Sequence, residues 1–448
     1  MLGTVLPFKG KAAMRHRPPS LILLVAGVCA APALAQQSAQ VVKPPVAQAW
    51  IDVATFSGLG MPMGMGMPGA GGGGGNPMSA LGGMFGGGGG SGAGQNRFGN
   101  TQSMAAGRWV DVTLTTRNNP QLAEAQQAVP PGFLSPPLRL QSPKEARGTA
   151  PDPGDDRTVE PDHERPKGKM LLYWGCGETV RAGQPVVVDF ATASAADLAR
   201  AFQSRRATQR GTHSAAGRPL WPSAVDARMV PPPASLVGEH AFSGQGVPEG
   251  FRFQLPPAQD LMAPIALKQQ KAPSGSTLLE WQSLPTARAY FVSAMGGRGQ
   301  NEMVVWSSSE VPDMGFGLLD YQTNGAVDRW LGERVLLAPQ TTRCAVPKGV
   351  FPDDGAMLRM IAFGNELNLA QPPRPADPKQ PWEPLWAVKV RVKSVAMAML
   401  GMDMSDMGGG RTGGGAPGQP PPPPESGSGE QQPKMPGVAD VLKGILGR

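Results

Sequence analysis

Thr277-Leu-Leu-Glu-Trp281, Ala289-Tyr-Phe-Val-Ser-Ala294, Glu302-Met-Val-Val-Trp-Ser307, Arg334-Val-Leu-Leu337, Met357-Leu-Arg-Met-Ile-Ala-Phe363 and Trp386-Ala-Val-Lys-Val-Arg-Val392 are short apolar or alternating runs broken by Gly, Pro, Asn and Asp. Runs of this length and spacing predict antiparallel strands packed as a sandwich. Outward from this block, Gln48–Thr55 and Arg108–Thr115 alternate apolar and polar residues and share the core Trp-(Ile/Val)-Asp-Val, at Trp50 and Trp109. Two such repeats read as strands, neighbours in one sheet. Lys169–Glu178 and Gln184–Phe190, joined by a turn at Arg181–Gly183, form a further strand pair. Asn119-Pro120 followed by Gln121–Ala128 carries an N-cap, a proline at the first helical position and good helix formers, which predicts a short helix. Ser194–Phe202 reads as a second capped helix.

The expected fold is therefore mainly β. An α+β module spans 108–215, a proline-rich connector 216–249 and an antiparallel sandwich 250–396. The remaining segments follow from composition. The chain of 448 residues holds 61 Gly and 49 Pro, about a quarter of its length and roughly twice the ordinary share, so a good part of it does not pack as helix or sheet. After an N-terminal strand segment, 36–57, the stretch 58–107 is Gly- and Met-rich and reads as a flexible loop. The stretch 397–435 is rich in Met, Gly and Pro and reads as a disordered tail. In 436–448, Val438, Val441, Leu442, Ile445 and Leu446 fall on one helical stripe, an amphipathic helix suited to docking on a partner or membrane surface.

Residues 1–35 combine a basic start (Lys9, Lys11, Arg15, Arg17), an apolar run from Leu21 to Val28, and Ala33-Leu34-Ala35 before Gln36. This is the pattern of a cleavable secretory signal, so the mature chain is expected to begin near Gln36 in the periplasm or outside the cell. Loss of four basic residues lowers the formal charge from +7 to +3, which argues against a nucleic-acid partner. No other stretch is apolar for long enough to cross a membrane as a helix. Cys29 leaves with the signal. Cys176 and Cys344 remain, and an oxidising compartment predicts a disulfide between them, closing a loop of 168 residues worth about 4 to 5 kcal/mol in the chain-entropy model.

The Trp at 281 in Leu279-Glu-Trp281 and the Tyr at 290 in Ala287-Arg-Ala-Tyr290 resemble the facing core pair of fibronectin type III and related immunoglobulin-like sandwiches. That resemblance covers about 250–396 and implies a fold without an activity.

Candidate chemistry is sparse. His163, His213 and His240 read as surface histidines, and no G-x-S-x-G, H-E-x-x-H or phosphate-loop motif is present. The expected function is a non-catalytic exported binding or scaffold protein of the cell envelope, with no cofactor and a protein or envelope surface as partner. An alternative is a Cu(I)-binding protein using Met61, Met63, Met65 and Met67 with Met397, Met399, Met402, Met404 and Met407, because thioether sulfur selects Cu(I). A third reading, carbohydrate binding or cleavage, rests on Glu178, Asp189, Glu280, Glu302, Glu310 and Asp320 in or beside the expected strands. Arg200, Arg205, Arg206, Arg210 and Arg218 form a basic run that an anionic surface would attract.

Overall fold

A computed structural model describes residues 40–58, 95–103, 105–144, 168–194, 196–198, 205–207, 211–299, 301–351, 355–377 and 379–401. Within them the protein is mainly β. Strands β1 (Ala47–Gly58), β2 (Gly107–Thr116), β3 (Glu124–Ala128), β4 (Leu138–Gln141), β5 (Lys169–Trp174), β6 (Val186–Asp189), β7 (Leu220–Trp221), β8 (Gly238–Gly244) and β9 (Arg252–Leu255) come from the first part of the chain. Strands β10 (Lys268–Lys271), β11 (Thr277–Glu280), β12 (Ala289–Arg298), β13 (Glu302–Ser307), β14 (Arg343–Val346), β15 (Ala356–Phe363), β16 (Leu367–Gln371) and β17 (Trp386–Leu400) follow, with helix α1 (Asn324–Gly332) between β13 and β14.

Fourteen strands form one mixed sheet in the order β6-β5-β13-β12-β15-β17-β1-β2-β7-β4-β3-β8-β9, with β16 also on β17. Its centre is β17 lying parallel to β1, from Ala47 opposite Trp386 to Gly58 opposite Met397. On the far side of β1, β2 runs antiparallel, and the two Trp-(Ile/Val)-Asp-Val repeats are neighbours, with Asp52 opposite Asp111. The sheet rolls over on itself: Phe251, immediately before β9, stacks on Trp386 of β17 with ring centroids 4.9 Å apart, although seven pairings separate the two strands. The apolar face of the central strands (Ile51, Val53, Val388, Val390, Val392) is buried in the core this roll encloses.

The small sheet β10-β11-β14 lies on the same core, where Leu279, Cys344 and Val346 pack with Tyr290, Val292 and Val304. Trp281 meets Tyr290 edge to face at 5.7 Å, and the Tyr290 hydroxyl accepts the Leu284 N–H at 2.7 Å. A Cys176–Cys344 disulfide, with Cα atoms 5.1 Å apart, ties β14 to the loop after β5. Beside it the Gly177 N–H donates to the Ala345 carbonyl at 3.0 Å.

Several expectations need correction. A self-contained immunoglobulin-like sandwich over 250–396 is not confirmed: β9 lies at an edge beside β8, β10, β11 and β14 form the small sheet, and β12, β13, β15, β16 and β17 join the large mixed sheet. The expected helix over Gln121–Ala128 is strand β3, buried at alternate residues and paired with β4 and β8. Pairing on both sides outweighs the helix-forming Glu, Ala and Gln. Arg334–Leu337 contributes a single bridge from Leu337 to Tyr290. Strand β17 runs to Leu400, so Met397 and Met399 belong to the sheet. Of the expected helix at Ser194, residues 196–198 are helical, and Ser194 and Asp197 make a reciprocal cap. The signal segment, Met61 to Met67, Met402 to Met407 and the stripe Val438–Leu446 lie outside the described residues.

Breaking the disulfide removes the cross-link over 168 residues. Replacing Cys176 and Cys344 together with Ala is expected to lower unfolding free energy by about 4 to 5 kcal/mol in the chain-entropy model. Chemical denaturation of the variant and of the oxidised parent reads this directly.

Candidate functional site

The second face of the central strands is charged yet covered. On β17, Lys389, Arg391 and Lys393 alternate with valines, the usual signature of a strand with one wet face. Here all three side chains are buried, at 8%, 4% and 1% residue exposure. Buried cations persist when paired and hydrogen-bonded. Arg391 makes a bidentate pair with Asp52 through Nε to Oδ1 at 2.7 Å and Nη2 to Oδ2 at 2.6 Å. Lys393 Nζ reaches Asp320 Oδ1 at 3.0 Å, and Lys389 Nζ reaches Glu366 Oε1 at 3.3 Å. Aromatic faces complete the lining: Tyr321 lies 4.4 Å from the Arg391 guanidinium carbon and 4.2 Å from Lys393 Nζ, and Trp50 lies 5.3 Å from Lys389 Nζ.

Three segments cover this face. Thr212 donates its N–H and hydroxyl to Asp52 Oδ2 at 3.0 and 2.7 Å. Gly211 permits that approach, since a Cβ there would sit 1.6 Å from Arg391 Nη2. The loop carrying Asp320 and Tyr321 is pinned by the Tyr321 hydroxyl donating to the Val53 carbonyl at 3.0 Å. Helix α1 roofs the neighbouring apolar part of this face, with Val327 and Trp330 packed on Phe291, Ile361, Phe363 and Val395.

Asp111 stands apart from the three ion pairs. It accepts the Gly99 N–H at 3.1 Å and the Thr101 N–H at 3.3 Å, together with the Thr101 hydroxyl. Burial pushes its carboxyl up to about 7, the Thr101 and Gly99 donors oppose that shift, and the facing Asp52 carboxylate adds to it. Asp320 behaves oppositely: burial pushes it up, but the Lys393 and Arg391 charges prevail and hold it at about 2. The arrangement holds strands in register and binds one proton near neutrality.

A different place offers room for a ligand. The edge strand β6 exposes Val186 and Val187, at 43% and 52%, beside a cleft of about 500 Å³. Leu172, Val188, Ala193 and Met314 give it apolar walls, and Asp189, Asp197 and Asp313 add carboxylates. Asp313 is paired with Arg205 at 2.8 Å, so this member of the expected basic run serves the fold. The hydrogen-bonding pattern faces Val186, Val188 and Phe190 toward β5, the Phe190 N–H donating to Gly168, which leaves the Val187 N–H and carbonyl on the edge that no strand among the described residues pairs.

The remaining sequence candidates are scattered. His240 is fully buried, stacked on Phe253 at 5.4 Å, with Nε2–H donating to the Leu236 carbonyl at 2.7 Å and Nδ1 accepting from Gln127 Nε2 at 3.1 Å. It is a core residue whose imidazole burial pushes below its ordinary pKa, the Leu236 hydrogen bond opposing that shift. His213 is half-buried against the Gly211 carbonyl, and His163 lies outside the described residues. Glu310 is paired with Arg181 at 2.7 and 2.9 Å. Met397 packs in the core near Phe56 and Val395, while Met399 is half-buried at the end of β17. The paired charges of the central face were missed because alternation alone reads as inside and outside; Asp52 and Asp111 at the same place in two repeats were the available signal.

The Asp111 proton makes a signed prediction. A carboxyl raised from 3.8 to about 7 stabilises the folded state below pH 4 relative to its ionised form, and that contribution is lost as pH rises through 7, by at most about 4 kcal/mol. The parent's denaturant midpoints are expected to fall between about pH 4 and 7, and Asp111→Asn to flatten that fall. An unchanged slope would remove Asp111 as its source.

No family model, curated protein or solved structure matches this chain.

Proposed function

We propose that this is an exported, non-catalytic binding or scaffold protein of the cell envelope, and that it takes an extended segment of a partner protein along the edge of β6. The observation that carries the reading is the open β6 edge, where the Val187 N–H and carbonyl lie beside an apolar cleft with carboxylates in its wall. A strand added there gains main-chain hydrogen bonds, apolar side chains enter the cleft, and Lys or Arg flanks meet Asp189 at its rim. Export is supported by the three-part N-terminal segment ending at Ala35 and by the Cys176–Cys344 disulfide, a bond favoured in oxidising compartments. The second sheet laid over the first, with Trp281 against Tyr290, supports treating the C-terminal strands as a sandwich-like presentation scaffold.

A second reading, soft-metal binding, is favoured by one topological fact. Strands β1 and β17 are parallel neighbours, so Gly58 and Leu400, which the Met-rich stretches follow in sequence, lie at the same end of the sheet, although they are more than 300 residues apart.

The first reading is tested with an array of extended apolar hexapeptides flanked by Lys or Arg. Protein recovered from the envelope fraction, with Gln36 at its N-terminus, is expected to bind a subset of them. Val187→Pro removes the outward N–H without touching the β5 pairing and should weaken that binding at least tenfold at unchanged melting temperature. Equal binding by both proteins, or none by the parent, would end the proposal.

A further inference from the structure

Strand β17 ends at Leu400, and the sequence beyond it carries one apolar stripe, Val438, Val441, Leu442, Ile445 and Leu446. These five branched side chains fall within nine residues, and a helix would gather them on one face. So short a helix is marginal in water unless a surface covers its apolar side. The sheet offers such a surface in line with the end of β17. Met399, one residue before that end, stands in a register row with Met357, Met295, Val305, Leu172 and Val186. Directly opposed residues point to the same face of a sheet, so Met399 shares its face with Leu172 and Val186, which line the cleft beside β6.

We propose that residues 438–446 dock in the β6 cleft of their own chain, as a tethered occupant that a partner segment must displace. The inference rests on the edge-docking reading above and adds the regulation of that site. Reach supports it. Five strand spacings of about 4.8 Å put Val186 within about 24 Å of Met399. The 36 residues from Met402 to Gly437 are rich in Gly and Pro, and a flexible chain of that length has a root-mean-square span of about 30 to 36 Å. A tether matched to its span presents its end at an effective concentration near millimolar. Chemistry agrees with reach. The cleft, of about 500 Å³, has Leu172, Val188, Ala193 and Met314 as apolar walls and takes several branched side chains at once. Asp189 at the rim is partly exposed, accepts the Ala191 N–H at 3.0 Å and lies 4.0 Å from Lys169. Its charge suits a segment in which Lys434, Lys443 and Arg448 outnumber Asp440. The docked tail and an incoming strand need the same apolar walls, so they compete.

The test uses the full-length chain in three forms: the parent, a tail variant with Val441→Asp, Leu442→Asp and Ile445→Asp, and a chain carrying the photo-crosslinker benzoylphenylalanine in place of Leu446. Crosslinks from position 446, mapped by mass spectrometry, are expected at Leu172, Val186 to Asp189 or Met314, and mixing with isotope-labelled protein should show that they form within one chain. The tail variant should bind the Lys- or Arg-flanked hexapeptides at least tenfold more tightly than the parent, at unchanged melting temperature. Crosslinks confined to other surfaces or to a second copy, or equal peptide affinity of parent and tail variant, would overturn the proposal, and peptide binding by both proteins would then leave the edge-docking reading standing. Crosslinks at the cleft with no peptide bound by either protein would support the docked tail and end the partner reading.

Discussion

The bidentate pair between Asp52 and Arg391 sits where the two chain-distant halves of the sheet meet. Parallel pairing of β1 with β17 joins residues more than 330 positions apart, and such contacts form only after a large loop-closure cost. A one-residue slip would turn Asp52 into the apolar core and set a valine opposite the second face. Register is therefore fixed by charge as well as by the valine face. Thr212, Gly211 and Tyr321 attach the covering segments to the same pair, so the roof over the central strands depends on it too.

The longest strands, β1, β2, β12 and β17, could be read directly from the sequence, because alternation and apolar runs report local β structure whatever the topology, whereas short strands such as β4, β9, β10 and β14 were not. Topology could not. Nothing in Trp386–Val392 says that its neighbours are Ala47–Val53 on one side and Leu367–Gln371 on the other. Nor does a Lys-Val-Arg-Val-Lys alternation say that the cations are roofed, since burial on that face comes from loops whose conformations carry no periodic signal. Helix α1 escaped notice because its buried Ala326, Val327 and Trp330 form a short stripe interrupted by Gly325 and Asp328. The Gln121–Ala128 reading failed for the opposite reason: helix propensity there is real, and strand pairing overrides it.

The candidate sites divide in the same way. Cys176 and Cys344 were predictable as a pair from compartment and count. The β6 cleft was not, because it is assembled from segments distant in sequence, Leu172 and Val186–Asp189 with Met314.

A double-mutant cycle on Asp52 and Arg391 probes the joint between the two halves most directly. Asp52→Asn and Arg391→Met are each expected to lower unfolding free energy by about 3 to 5 kcal/mol, because each leaves a buried partner uncompensated. The double variant should lose less than the sum, with a coupling of about 2 kcal/mol or more. Additive losses, within about 0.5 kcal/mol, would show that the pair does not hold β1 against β17.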